Sequence, residues 1–214
     1  EVTLEEDLAR RDLTVNAMAQ DALTGKIVDP HGGQADLREG VLRHVGPAFR
    51  DDALRVYRVA RFAAQLGFRV HPSTVREMRE VPREELGAVS AERVCEEFRR
   101  AMRSDDPGAF FSVLAEAYHL GTHFAELEAS RGASARTCHD TLREVVRFGA
   151  TGEAERVAPL LCELAPEAAE ALARRVRLPA EHAEAARLAC EELGRARRFP
   201  ELPGSERVGL IARA

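Results

Sequence analysis

The stretch Asp51-Asp52-Ala53-Leu54-Arg55-Val56-Tyr57-Arg58-Val59-Ala60-Arg61-Phe62 carries the most informative pattern in the chain. At about 100° per residue, Asp52, Arg55, Arg58 and Arg61 fall within one half of a helix circumference, while Leu54, Val59, Phe62 and Leu66 help form the apolar side. The spacing predicts a helix over 51–66 with one face in a core and a row of polar groups on the other. Periodicity alone leaves two readings of that row open: an amphipathic helix with a solvated arginine stripe, or fixed groups that meet a ligand.

The second reading has definite chemistry. A carboxylate only accepts hydrogen bonds and a guanidinium only donates them, so Asp52 beside Arg55 makes a template for a base edge. Cytosine and adenine both present an exocyclic amino donor next to a ring-nitrogen acceptor, which suits Asp52 and Arg55 respectively. Uracil and guanine present the reverse pattern and leave buried polar groups unpaired, at about 1–3 kcal/mol each. Such a pair selects C and A without a nucleic-acid template. Arg58 and Arg61, one and two turns further on, are placed to hold a triphosphate or to brace the pair.

Upstream, segment 5–19 opens with an acidic cluster and carries apolar residues at Leu8, Leu13, Val15, Ala17 and Met18. It reads as a helix end followed by a strand after Asp12. Turn chemistry follows over 21–25, a short strand over 26–28, and a second turn at Asp29-Pro30-His31-Gly32-Gly33. Together these suggest the far edge of a small α/β domain. From Asp36 onward the period is helical, with breaks at Gly46-Pro47 and over 67–72. Helices are predicted briefly from Asp36, then over 51–66, 73–81, 91–103, 107–117, 138–148, 153–164, 166–175 and 179–197. Ser73 and Ser90 suit N-caps, Pro107 and Pro166 suit first turns, and 121–133 reads as an irregular connection.

The chain has 214 residues, 45% of them hydrophobic, enough for one large domain or two small ones. No apolar stretch approaches the roughly 20 residues that span a bilayer, and the N-terminus lacks a basic, then apolar, leader pattern. The expectation is a cytoplasmic protein without a membrane partner. The first residue is Glu1, and 4–19 reads like the middle of a motif, so a longer protein is expected around these residues. Cys95, Cys138, Cys162 and Cys190 stand far apart with no C-x-x-C, which argues against a zinc ribbon or a disulfide framework. The net charge of −5 disfavours a wholly nucleic-acid-covered surface, so any RNA contact is a local patch. Between positions 43 and 61 five Arg face two Asp, which equally fits a solvated face balanced by acids elsewhere.

Three linked motifs resemble those of the class II tRNA nucleotidyltransferase (CCA-adding) and bacterial poly(A) polymerase family. Arg10-Arg11-Asp12-Leu13-Thr14-Val15-Asn16-Ala17-Met18-Ala19 resembles RRDFTINAMA. Asp29-Pro30-His31-Gly32-Gly33 with Asp36-Leu37 resembles the next motif, and 51–62 resembles EDxxRxxRxxRF. Ser90-Ala91-Glu92-Arg93-Val94 with Glu96 or Glu97 is similar to the family's later neck helix. The resemblance runs from about Leu4 to Arg103.

It implies a mainly α chain: the C-terminal edge of a small α/β nucleotidyltransferase head (1–50), a helical nucleotide-selecting and RNA-binding neck (51–120), and a helical body (121–214). It implies CCA addition to tRNA 3′ ends from CTP and ATP. Arg11 would contact nucleotide phosphates, Asp52 and Arg55 would form the template, Arg58 and Arg61 would support it, and Asp12 and Asn16 would brace the head–neck junction. Asp51 stands where the family usually has Glu, one methylene longer; the base-reading acid is the second of the two, so selectivity should survive.

The family's transfer chemistry needs two Mg²⁺ ions held by an upstream G-S…D-x-D hairpin. No D-x-D occurs in these residues, and Glu5-Glu6-Asp7 reads as a surface acidic turn. No catalytic residue and no metal ligand is therefore assigned here, and the 214 residues alone are expected to be inactive.

Cys138-His139-Asp140 resembles the His-Asp pair of metal-dependent phosphohydrolase domains. Cys162-Glu163-Leu164 falls where such domains have Cys-His-Asp, and no Asp follows Asp140. The expectation is a degenerate HD-like or tRNA-binding body with a lost metal site, and with His139 and His182 as ordinary histidines. A poly(A) polymerase fragment and an inactive RNA- or nucleotide-binding module stay open beside CCA addition.

Overall fold

The computed structural model describes residues 2–130 and 137–197, with side chains as far as Glu191. It is mainly helical, with two small two-stranded sheets. Helix α1 (Leu4–Ala9) is started by Thr3, whose hydroxyl accepts from the Glu6 N–H while the Glu6 carboxylate accepts from the Thr3 N–H. Glu5, Glu6 and Asp7 form the first turn of this helix instead of a separate acidic turn. After Asp12 the chain does not run on as a strand. The buried Asp12 carboxylate accepts from the Leu13 N–H and the Asn16 amide, drawing 14–16 into a 3₁₀ turn, and only Leu13 bridges to His44.

Strands β1 (Ala19–Gln20) and β2 (Ile27–Val28) pair antiparallel across a turn in which Asp21 Oδ1 accepts from the Leu23 and Thr24 N–H groups. The following Asp-Pro-His-Gly-Gly motif works as the start of α2 (Gly33–Glu39). Asp29 accepts from the Gly33 N–H at 2.7 Å and the Gln34 N–H at 2.9 Å, next to the positive end of the helix. Gly33 is required by close approach: a Cβ there would lie 2.2 Å from the Thr14 carbonyl oxygen. That contact seats α2 on the 3₁₀ turn, where Thr14 donates to Asp36 at 2.7 Å and Arg43 closes on the same carboxylate.

Strand β3 (Val41–Leu42) pairs in parallel with β4 (Arg69–Val70), a pairing between residues 28 apart in sequence that the two-residue runs do not announce. Between them lie a 3₁₀ turn (Pro47–Asp51) and α3 (Leu54–Leu66), closed by Gly67 in the left-handed region. The helix thus starts later than position 51. Asp52 is extended, and its Oδ1 accepts from the Leu54 N–H at 3.0 Å, using the acid to start the helix instead of displaying it along the helix.

Helices α4 (Pro72–Arg79), α5 (Arg83–Gly87), α6 (Ala91–Met102) and α7 (Gly108–Glu116) follow. His71, not Ser73, caps α4: its ring accepts from the Ser73 N–H. Ser90 occupies the cap position of α6 without a side-chain cap bond. Within 121–133, the described residues fold as α8 (Leu120–His123) and α9 (Ala125–Ser130), and positions 131–133 lie outside the described residues. These helices are too short for periodicity to reveal. Helices α10 (Cys138–Arg147), α11 (Glu153–Cys162), α12 (Pro166–Arg175) and α13 (Ala180–Arg197) complete the described chain.

One continuous core links these layers. Phe98, Phe110, Phe111 and Phe124 pack ring against ring with centroids 5.4–6.1 Å apart, and Tyr57 of α3 stacks on Phe110 of α7. The Tyr57 hydroxyl meets His123 Nδ1 at 2.6 Å, and His123 also bonds the Val89 carbonyl, an arrangement that suits a neutral ring donating to Val89 and accepting from Tyr57. Burial pushes the His119 and His123 pKa values below the ordinary imidazole value. The folded chain therefore binds these protons later than the unfolded chain does. Their contribution is fully present above about pH 6.5 and is lost as pH falls towards the folded values. Urea melts are expected to hold their midpoint from pH 7.5 to 6.5 and to lose it progressively by pH 5.5. A midpoint that is flat across this range would contradict the assignment.

Candidate functional site

Where the 3₁₀ turn before α3 meets the end of α1, a cleft of about 480 Å³ opens, lined by Arg10, Arg11, Asp12, Asn16, Asp52, Leu54, Arg55, Arg58, Phe62 and Arg93. Six of the seven site residues expected from sequence line it; Arg61 does not. Asp52 is half-exposed, with Oδ2 accepting from Arg93 Nη2 at 2.9 Å. Arg55 donates through Nη2 to the Arg10 carbonyl at 2.6 Å and through Nη1 to the Ala48 carbonyl. Both side chains are held in place, and both keep capacity in reserve. A carboxylate has about four lone-pair sites and a guanidinium five N–H donors, so two contacts on each leave further sites for a ligand.

Arg58 donates to Asp12 Oδ2 at 2.7 Å, and its guanidinium lies 5.6 Å from the Phe62 ring centroid. Burial by itself would raise the Asp12 pKa. The Arg58 charge, with hydrogen bonds from Asn16, Arg58 and the Leu13 N–H, outweighs burial and holds the carboxyl below its ordinary range. Asp12 and Asn16 thus join the turn after α1 to α3. Arg61 turns into the interior: it is 5% exposed, bonds Glu97 and Gln65, and lies over the Phe62 ring at 3.8 Å. It supports the row from behind. Arg11 stays exposed on the rim, paired with Asp7 at 2.7 Å.

Two members of this arrangement carry no role in the sequence reading. Arg93 and Glu97 stand four apart on α6, so one face of that helix offers a cation to Asp52 and an anion to Arg58 and Arg61. The signal available was charge complementarity: opposite charges one turn apart on α6 match Asp52 and Arg61 around α3. A solvated arginine stripe does not describe what is observed, because every arginine of the row has a defined partner.

Among the described residues, no three His, Cys, Asp or Glu side chains are grouped to hold a metal ion. The described residues thus do not fit the divalent metal that the family resemblance implies, and no step through it is derived for them. His139 is held between Ser112 Oγ (2.9 Å from Nδ1) and Asp106 Oδ1 (3.2 Å from Nε2), while Glu163 accepts from Thr141. His182 is buried with Nε2 2.8 Å from Glu153 Oε1. No described helix is long and apolar enough to cross a membrane.

The family described as "Poly A polymerase head domain" matches residues 1–43, and that described as "Probable RNA and SrmB- binding site of polymerase A" matches residues 67–130. A CCA-adding enzyme of Pseudomonas putida is 41% identical over 220 residues, covering 99% of this chain and 56% of that protein. The chain belongs to the class II tRNA nucleotidyltransferase and bacterial poly(A) polymerase family. A second member, a multifunctional CCA protein of Stenotrophomonas maltophilia, is 38% identical over 251 residues, covering 99% of this chain and 61% of its own. Among solved structures, the Bacillus stearothermophilus CCA-adding enzyme in complex with CTP is 30% identical with a TM-score of 0.72, covering 92% of this chain and 49% of that one. The chain spans between 32% and 61% of the length of such curated relatives.

Proposed function

We propose that these residues form the nucleotide-selecting part of a CCA-adding tRNA nucleotidyltransferase, with Asp52 and Arg55 as the amino-acid template for C and A. The observation that carries this reading is the pair itself: an acceptor and a donor at one cleft, each immobilised by a neighbour. Asp52 accepts the exocyclic amino group of cytosine or adenine, and Arg55 donates to the adjacent ring nitrogen. Arg93 anchors the carboxylate, and the Arg10 and Ala48 carbonyls anchor the guanidinium. Because both groups are fixed before the base arrives, little side-chain entropy is lost on binding. Arg11 faces the phosphates from the rim. Arg58 and Arg61 brace the row, and Asp12 and Asn16 lock it to the preceding turn.

In this reading 1–50 belong to a nucleotidyltransferase head, 51–120 to a neck and 121–214 to a tRNA-binding body. The partners are tRNA, CTP and ATP, as the family resemblance implies and the CTP complex of one relative supports, and the setting is the cytoplasm. The transfer chemistry belongs to Mg²⁺ on carboxylates outside these 214 residues. The longer parent protein, supplied with a tRNA lacking its 3′ CCA, is expected to add C and A and to exclude U and G. Asp52→Ala and Arg55→Ala should each lose that discrimination while still binding tRNA. Long oligo(A) tracts added to any RNA end would move the assignment to the poly(A) branch of the family, and unaltered selectivity in both variants would remove the template.

A further inference from the structure

Cys162 ends α11, and Cys190 lies in α13, the helix packed along it. Their sulfurs stand 2.6 Å apart, and the Cys162 sulfur also lies 3.3 Å from the Ala186 carbonyl, one turn before Cys190. Cys95 and Cys138 are buried elsewhere, whereas Cys190 is exposed and Cys162 half-buried. Cys190 also lines an apolar cleft of about 680 Å³ between α11, α12 and α13, with Leu161, Leu164, Ala169 and Ala183 among its other walls. A small uncharged oxidant thus has a route to one sulfur while the second waits behind it.

We propose that Cys162 and Cys190 are a redox-modification site at which hydrogen peroxide makes a reversible disulfide joining α11 to α13. The Cys190 thiolate attacks the peroxide O–O bond and becomes a sulfenic acid, and the leaving oxygen departs as water after taking a proton. The Cys162 sulfur then attacks the Cys190 sulfur. The S–S bond forms, the S–O bond breaks, and a second water leaves, so two thiols and one hydrogen peroxide give one disulfide. The order follows from accessibility. Burial, with Cys190 beside it, pushes the Cys162 thiol up to about 12, so Cys162 is the resolving sulfur and not the first to be oxidised. Both sulfurs are thiols in the structure, and a dithiol reductant would restore that state. Closing the 28-residue span between them restricts the unfolded chain.

Hydrogen peroxide added in slight excess to the full chain tests this by intact mass, peptide mapping and thermal melting. The expected product has lost two hydrogen atoms, yields a single linked peptide pair containing Cys162 and Cys190, and melts several degrees higher. Dithiothreitol should return both mass and melting temperature, and C162S and C190S should each abolish the link. Oxygen added at Cys190 without a Cys162 link, links between other cysteines, or dimers through Cys190 would each overturn the proposal. Peptide mapping of the unaltered chain distinguishes these products even if a serine variant fails to fold.

Discussion

Replacing Glu97 by Ala should destabilise the folded chain by about 3–5 kcal/mol, the cost of leaving a buried charge without its partner. Arg61 and Glu97 are each 5% exposed and directly bonded, with Arg58 Nη1 4.0 Å from the same carboxylate. Without Glu97, the Arg61 guanidinium keeps only Gln65 and the Phe62 ring, neither of which carries a countercharge. Glu97→Gln should lose less, since the amide oxygen still accepts a hydrogen bond. Urea denaturation of the two variants beside the parent sequence measures both losses. Glu97→Ala should also weaken nucleotide preference in the protein that remains folded, because Arg58 shares the lost acid and also holds Asp12. A loss below about 1 kcal/mol would mean that Arg61 finds water or another acceptor, and that the brace is dispensable.

Phe110→Ala should cost a similar amount, about 3–5 kcal/mol, through an unrelated mechanism. Phe110 is fully buried, touches the rings of Phe98, Phe111 and Phe124, and stacks with Tyr57 on the inner face of α3. Truncation removes apolar surface from the core and leaves a cavity that rigid aromatic neighbours fill poorly. This variant makes no polar contact with the cleft. Its preference among nucleotides should therefore persist in the folded fraction even as the urea midpoint falls, which separates general stability from the specific support given by Glu97.

The helical architecture was legible because long amphipathic segments declare themselves: 166–175 begins and ends where the alternation of Ala, Leu and charge places it. The start of α3 was not, because Asp51-Asp52-Ala53 has no feature that separates a helical turn from an extended residue capping one. Short elements were hidden for a related reason. Val41-Leu42 and Arg69-Val70 become strands only through their mutual pairing, and α8 and α9 are too brief to show a period. At the cleft, the residue types over 51–62 pointed to Asp52, Arg55 and Arg58, which the structure brings together with Arg11, Asp12 and Asn16. The depth of Arg61 and the part played by Arg93 depended on where α6 packs, which local sequence does not specify.

The measurement that bears most directly on the central claim is equilibrium binding of CTP, ATP, UTP and GTP to the chain, repeated with Asp52→Ala and Arg55→Ala. One mismatched polar group at the template corresponds to about 1–3 kcal/mol, so CTP and ATP should bind about 5- to 150-fold more tightly than UTP and GTP. That ratio should collapse towards one in each variant. Equal binding of all four nucleotides, unchanged by either substitution, would contradict a base-reading role for Asp52 and Arg55.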